Sequence, residues 1–241
     1  MKAIDVQTEL TACVRQLGAV VSDDECGASK SRNADYWFPQ DNVVAELKCL
    51  SQNYFDDQTY SDWLNKIYQD WVARGLARPL RNTATINLAD LPKDCTDDVT
   101  NLIKKRLESS LKDANEQIKA TRRSLDAPDA RGLLFLVNDG NFGLHPGLVQ
   151  NALSRSLHKY SGINTVIHFT ANMASTLETV DRDILFWCTW SAKRFKPPVD
   201  SDFLEKLQQA WFTHHQRVAG EPIPKLQIAA VALYNLKFIG R

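Results

Sequence analysis

Cysteine is scarce in this chain, and none of it is paired by spacing. Cys13, Cys26, Cys49, Cys95 and Cys188 are odd in number, far apart and free of any C-x-x-C pair. That pattern argues against a disulfide framework and a structural zinc site, and for reduced thiols in a cytoplasmic setting. No HExxH, GxSxG or phosphate-binding glycine motif is present, which removes the zinc proteases, the serine hydrolases and the P-loop enzymes. No apolar run approaches membrane-spanning length, so no membrane partner is expected. The sequence does not open with a basic segment followed by an apolar run, so no secretory signal is expected either. An excess of one charge is also missing. Twenty-nine basic residues balance twenty-nine acidic ones, which excludes a strongly basic nucleic-acid binder but not a local basic face.

What is there reads as a globular α/β chain. Its 241 residues are 44% hydrophobic and 24% charged, enough for a sizeable core. Charge is uneven along it. Residues 1–60 hold ten acids and five bases, and residues 193–241 hold eight bases and four acids. An acidic start suits a metal and a basic end suits a polyanion.

Periodicity predicts a helix over 4–17 ended by Gly18, a short strand at 19–21, and a hairpin of strands at 34–38 and 42–50. A helix over 59–74 follows, with Trp63 and Trp71 eight residues apart and read as its core. Residues 76–96 are irregular. A long polar helix over about 97–123 carries only a thin apolar stripe, which predicts a surface position or a partner. Residues 132–137 form a continuous apolar run suited to a strand buried on both faces. A helix from Pro146, strands at 164–169 and 184–189, a helix over 201–218 and a last strand at 226–234 complete the pattern. The expectation is one α/β domain over 1–241, a mixed central sheet flanked by helices, with 76–130 as a helical insertion.

The hairpin carries the chemistry. Side chains alternate along a strand, so Glu46 and Lys48 share one face while Val43, Ala45, Leu47 and Cys49 face a core. Asp35 lies across the hairpin. Two carboxylates suit a hard divalent cation, and an adjacent ammonium suits developing negative charge.

This order of elements, with Asp35 at the second strand and Glu46-Leu47-Lys48 on the third, resembles the PD-(D/E)xK nuclease superfamily and its restriction-endonuclease-like core. Glu9, nine residues before Gly18, fits the helix glutamate of that family. The resemblance covers residues 4–74, and 132–169 by order only. Ala34 stands where the family has proline. The resemblance implies a metal-dependent nuclease acting on DNA. Asp35, Glu46 and the Leu47 carbonyl would hold Mg2+ or Mn2+, Lys48 would orient the attacking water, and Glu9 would complete the site through water. Cutting both strands suits a homodimer.

For nucleic-acid contacts the basic candidates are Lys193, Arg194, Lys196, Arg217 and Lys225, with Lys104, Lys105, Arg122 and Arg123 on the long helix. Other readings stand beside these. Asp35, Glu46 and Lys48 also fit a solvated sheet face with an ion pair. Asp5 rivals Glu9. Asp23, Asp24 and Glu25 form a loop cluster, and Asp139 follows a buried strand. His214 and His215 are adjacent on a helix and so face different ways, which predicts a solvent or partner role. Cys188 reads as a buried thiol. A catalytically inactive module for nucleic-acid binding or protein assembly is the alternative function.

Overall fold

The computed structural model describes residues 3–22, 33–79, 90–177, 180–191, 196–220 and 237–239. Helix α1 (Val6–Gln16) leads into β1 (Val20–Val21), β2 (Tyr36–Phe38) and β3 (Val43–Leu50). Then come α2 (Gln58–Ala73), α3 (Lys93–Ser124), β4 (Arg131–Asn138), α4 (Pro146–Ser156) and β5 (Thr165–Thr170). The remainder is β6 (Ala174–Leu177), β7 (Val180–Ile184), β8 (Trp187–Ser191), α5 (Ser201–Ala219) and β9 (Lys237–Ile239).

Six strands form one mixed sheet in the order β1-β2-β3-β4-β5-β8. The three central strands β3, β4 and β5 are parallel, and the outer pairings are antiparallel. Helices flank both faces, as an α/β chain with buried central strands requires. β6, β7 and β9 make a separate antiparallel sheet.

Each face has its own core. On one, Val44, Leu134, Leu136 and Val166 pack against α3 and α4. On the other, Tyr36, Phe38, Ala45, Leu47, Phe135 and Ile167 pack against α1 and α5. Local chemistry fixes the helix ends. Asp5 caps α1 through the Thr8 N–H at 2.7 Å, and Gly18, at φ +81°, ends that turn where a side chain would be strained. Gly132 opens β4 so close to the loop before β5 that a Cβ there would lie 1.9 Å from the Gly162 carbonyl oxygen.

Several expectations change. The long helix does not lie loosely on the surface. Cys95, Val99, Ile103, Leu107, Leu111, Ala114 and Ile118 of α3 are buried in the first core, so α3 supplies a layer over β3. The thin stripe suffices because one face of the helix is enough to cover a sheet. The expected strand at 184–189 is divided between β7 and β8, which belong to different sheets. An unbroken apolar run gave no sign of that division. The expected strand at 226–234 lies outside the described residues.

Candidate active site

The β2–β3 register pairs Tyr36 with Ala45, which sets Asp35 opposite Glu46. The ladder ends there, and the Asp35 side chain takes over from the backbone. Its Oδ2 accepts the Leu47 N–H at 2.7 Å, while the Asp35 N–H donates to Glu46 Oε2 at 3.2 Å. Lys48, two residues along the same face, donates from Nζ to Glu46 Oε1 at 2.6 Å and to Gln117 Oε1 at 2.8 Å. Asp35, Glu46 and Lys48 therefore meet at the margin between β2 and β3.

Helix α3 clamps this margin. Gln117 Nε2 donates to the Asn33 carbonyl at 3.2 Å, and Thr121 Oγ1 accepts the Ala34 N–H at 2.6 Å. These contacts fix the residues just before Asp35 relative to the helix that also holds Lys48. Gln117 had no sequence signal. It flanks the apolar stripe of α3, and only the fold reveals what it faces.

The electrostatics are lopsided. Glu46 is 1% exposed. Burial first, and then the Asp35 charge, push its carboxyl up to about 7, against the pull of Lys48. Asp35, Glu46 and Lys48 thus act on one another across this margin. Alternate backbone groups of a strand point to the same side, so the Leu47 carbonyl faces the same margin as its N–H. The available donors are two carboxylates and one carbonyl, all hard oxygens. Among the described residues, no group of three or more His, Cys, Asp or Glu side chains is arranged to hold a metal. Magnesium does not need one, because it keeps several waters and uses one or two carboxylates plus substrate oxygens. Both Glu46 oxygens and Asp35 Oδ2 are already engaged by protein donors, so an ion here would have to share them.

Glu9 is not brought to this margin. It belongs to α1, over the opposite face, and its Oε2 lies 2.6 Å from His214 Nε2 on α5. Arg217 Nη2 sits 3.1 Å from His214 Nδ1. A guanidinium only donates, so Nδ1 accepts and the ring proton sits on Nε2, facing Glu9. His214 and His215 are both buried, not solvent-facing, with His215 edge-on to Trp211 at 5.7 Å. Their adjacency on one helix could not show that α5 packs on α1. Asp5 is spent as the α1 cap. Asp139 Oδ1 accepts from Asn172 Nδ2 at 2.6 Å.

Of the basic candidates, Lys193, Arg194 and Lys225 lie outside the described residues, as do Asp23, Asp24 and Glu25. Lys196 donates to the Tyr160 carbonyl, and Arg122 donates to the Gly162 carbonyl at 3.1 Å and to Asn164 Oδ1 at 2.8 Å. Burial, then the Arg122 charge, pull the Lys196 ammonium down to about 8. Residues from distant parts of the chain thus form one basic region. Beside it, Lys119, Arg122 and Arg123 border a cleft of about 360 Å³. Cys188 is half-buried on β8, less enclosed than expected.

No helix among the described residues is long and apolar enough to cross a membrane. Comparison with known proteins finds no match among family models, curated proteins or solved structures.

Proposed function

We propose that the chain is a metal-dependent nuclease that hydrolyses phosphodiester bonds in DNA, with Asp35, Glu46 and Lys48 as its working residues. The observation that supports this most is the pairing of two carboxylates, Asp35 and Glu46, with one ammonium 2.6 Å from Glu46. Asp35, Glu46 and the Leu47 carbonyl would hold Mg2+ or Mn2+. The bound ion would polarise the phosphate and ease ionisation of the attacking water. Lys48, steered by Glu46 and Gln117, supplies positive charge where negative charge builds up in the transition state. The Leu47 N–H orients Asp35, and the Asp35 N–H orients Glu46, so neither carboxylate must reorganise. Lys119, Arg122, Arg123 and Lys196 offer phosphate contacts in this reading.

The test is cleavage of linear, circular and branched DNA with magnesium. Wild type should cut. Lys48→Ala should fold, keep its metal-dependent stabilisation and cut about a hundredfold or more slowly. Wild-type cutting by Lys48→Ala would mean that the site is elsewhere. One observation favours a second reading, a non-catalytic binding or assembly module. Glu46 is 1% exposed, and α3 reaches over Lys48 through Gln117, which limits access by a duplex. Metal-dependent stabilisation without any cutting would select that reading.

A further inference from the structure

The spacing of Trp63 and Trp71 predicts two core residues, yet only Trp71 is buried. Trp63 is 42% exposed and Phe55, nearby in sequence, 53%. Trp63 is nonetheless held firmly. The Arg106 guanidinium stands over its ring at 5.0 Å and over Tyr54 and Tyr60 at 5.3 and 5.5 Å. Asp57 anchors that guanidinium at 2.7 Å. An exposed indole stacked on a fixed cation costs little further entropy when a second flat group stacks on it.

The exposed side of Trp63 borders a groove of about 300 Å³ between α2 and α3, floored by Ile67 and Leu102. Lys66 and Lys105 stand on its rim, both exposed and without an ion-pair partner among the described residues. The acid in the groove, Asp98, is already engaged. It accepts from Trp71 Nε1 at 2.9 Å and lies 3.6 Å from Arg74. The surface therefore joins an apolar floor, an aromatic platform braced by Arg106 and two lysines on its rim.

We propose that this groove binds unpaired nucleotides of a single-stranded nucleic acid, with a base stacked on Trp63 and flanking phosphates at Lys66 and Lys105. A base supplies the flat apolar face and the backbone supplies the negative charge, and both are needed to match the groove. Every base has such a face, so binding tolerates any sequence. A duplex hides its bases and offers only phosphates. The groove shares no lining residue with the Asp35–Glu46 margin, and the proposal does not require cleavage.

The full chain is titrated at low salt, in chelator, with a labelled twelve-residue oligothymidylate and with a duplex of equal length. The chelator removes metal, so failure of the nuclease reading does not touch the result. The single strand should bind more tightly than the duplex and quench tryptophan fluorescence. Trp63→Ala should weaken single-strand binding roughly ten- to hundredfold. Trp63→Phe should keep affinity within a few-fold but lose the quench. Lys66→Glu with Lys105→Glu should weaken binding and flatten its salt dependence by about 0.7 in log–log slope for each phosphate no longer neutralised. Should Trp63→Ala melt at a lower temperature than wild type, the Trp63→Phe quench and the lysine pair still decide. Single-strand affinity unaffected by Trp63→Ala overturns the proposal, and so does equal binding of the duplex, or no binding at all. Self-association that Trp63→Ala abolishes overturns it too, in favour of a second copy of the chain.

Discussion

The two faces of the central sheet each carry one acid–base pair at the same separation, 2.6 Å, and the pairs are near mirror images. In Glu46–Lys48 the acid is buried and the cation is 24% exposed; in Glu9–His214 the base is buried and the acid is 24% exposed. The difference that matters is the third charge. Asp35 adds a second negative charge to the first pair, whereas Arg217 adds a positive charge to the second. Glu9 is thereby balanced within the fold and joins α1 to α5. At the Asp35–Glu46 margin the two acids press on each other instead, and the Asp35 charge helps to raise the Glu46 carboxyl. The lesson is that distance within a pair says little, and the neighbours decide whether it holds the fold or is available for chemistry.

The largest expected effect separates the pairs by activity. Lys48→Ala or Glu46→Gln should lower cleavage about a hundredfold or more, while Glu9→Gln leaves the rate unchanged. Equal losses in a cleavage assay would erase the distinction.

Next comes pH. The Glu46 carboxyl stands at about 7 in the folded chain against an ordinary 4.5. The folded state therefore holds a proton that the unfolded state has released. The resulting stabilisation is complete below the ordinary value and disappears as pH rises through 7. Relative to Glu46→Gln, wild type should lose on the order of 3 kcal/mol between those limits, as read by urea unfolding. A difference that does not vary with pH would mean that Glu46 is ionised throughout.

Metal acts on the same window with opposite sign, because it favours the ionised carboxylate. At a hundredfold excess over Kd, magnesium should stabilise wild type by about 2.7 kcal/mol. The rise in Tm should be greater at pH 8 than at pH 6 and absent in Asp35→Asn. Glu9→Gln should keep it, and loss of the shift in that variant would return Glu9 to the metal site. The smallest effect is on stability at Glu9 itself. Glu9→Gln keeps an acceptor for the His214 N–H and should cost at most about 1 kcal/mol in thermal unfolding.

Much of this was legible from residue order. The hairpin, the alternation that puts Glu46 beside Lys48, and the buried run of β4 follow from period and local turn chemistry. The α/β class follows from the succession of elements. What could not be read is contact between elements far apart in sequence. Glu9 sits at the edge of the α1 stripe, and only the packing of α5 gives it to His214. Gln117 looks like any polar residue on a long helix until α3 is laid over β3. Trp63 has the spacing of a core residue, but α3 covers α2 on one side only and leaves the indole at the rim. In each case local pattern set the element, and the partner across the interface set the role.

The crossover from β3 to β4 bears on how the chain comes to be folded. Eighty residues separate the end of β3 at Leu50 from the start of β4 at Arg131. As the chain leaves the ribosome, the strand carrying Glu46 and Lys48 has β2 on one side and an unsatisfied edge on the other. That edge stays open until the intervening segment, with α2 and α3, and the next strand have been made. Closing so long a loop before any pairing rewards it is slow, and an open apolar edge is where nascent chains stick to one another. Charges on an open strand deter pairing with the wrong neighbour, and Glu46 and Lys48 are placed to do so. Replacing both Glu46 and Lys48 by apolar residues should lower the yield of refolding at high protein concentration more than at low.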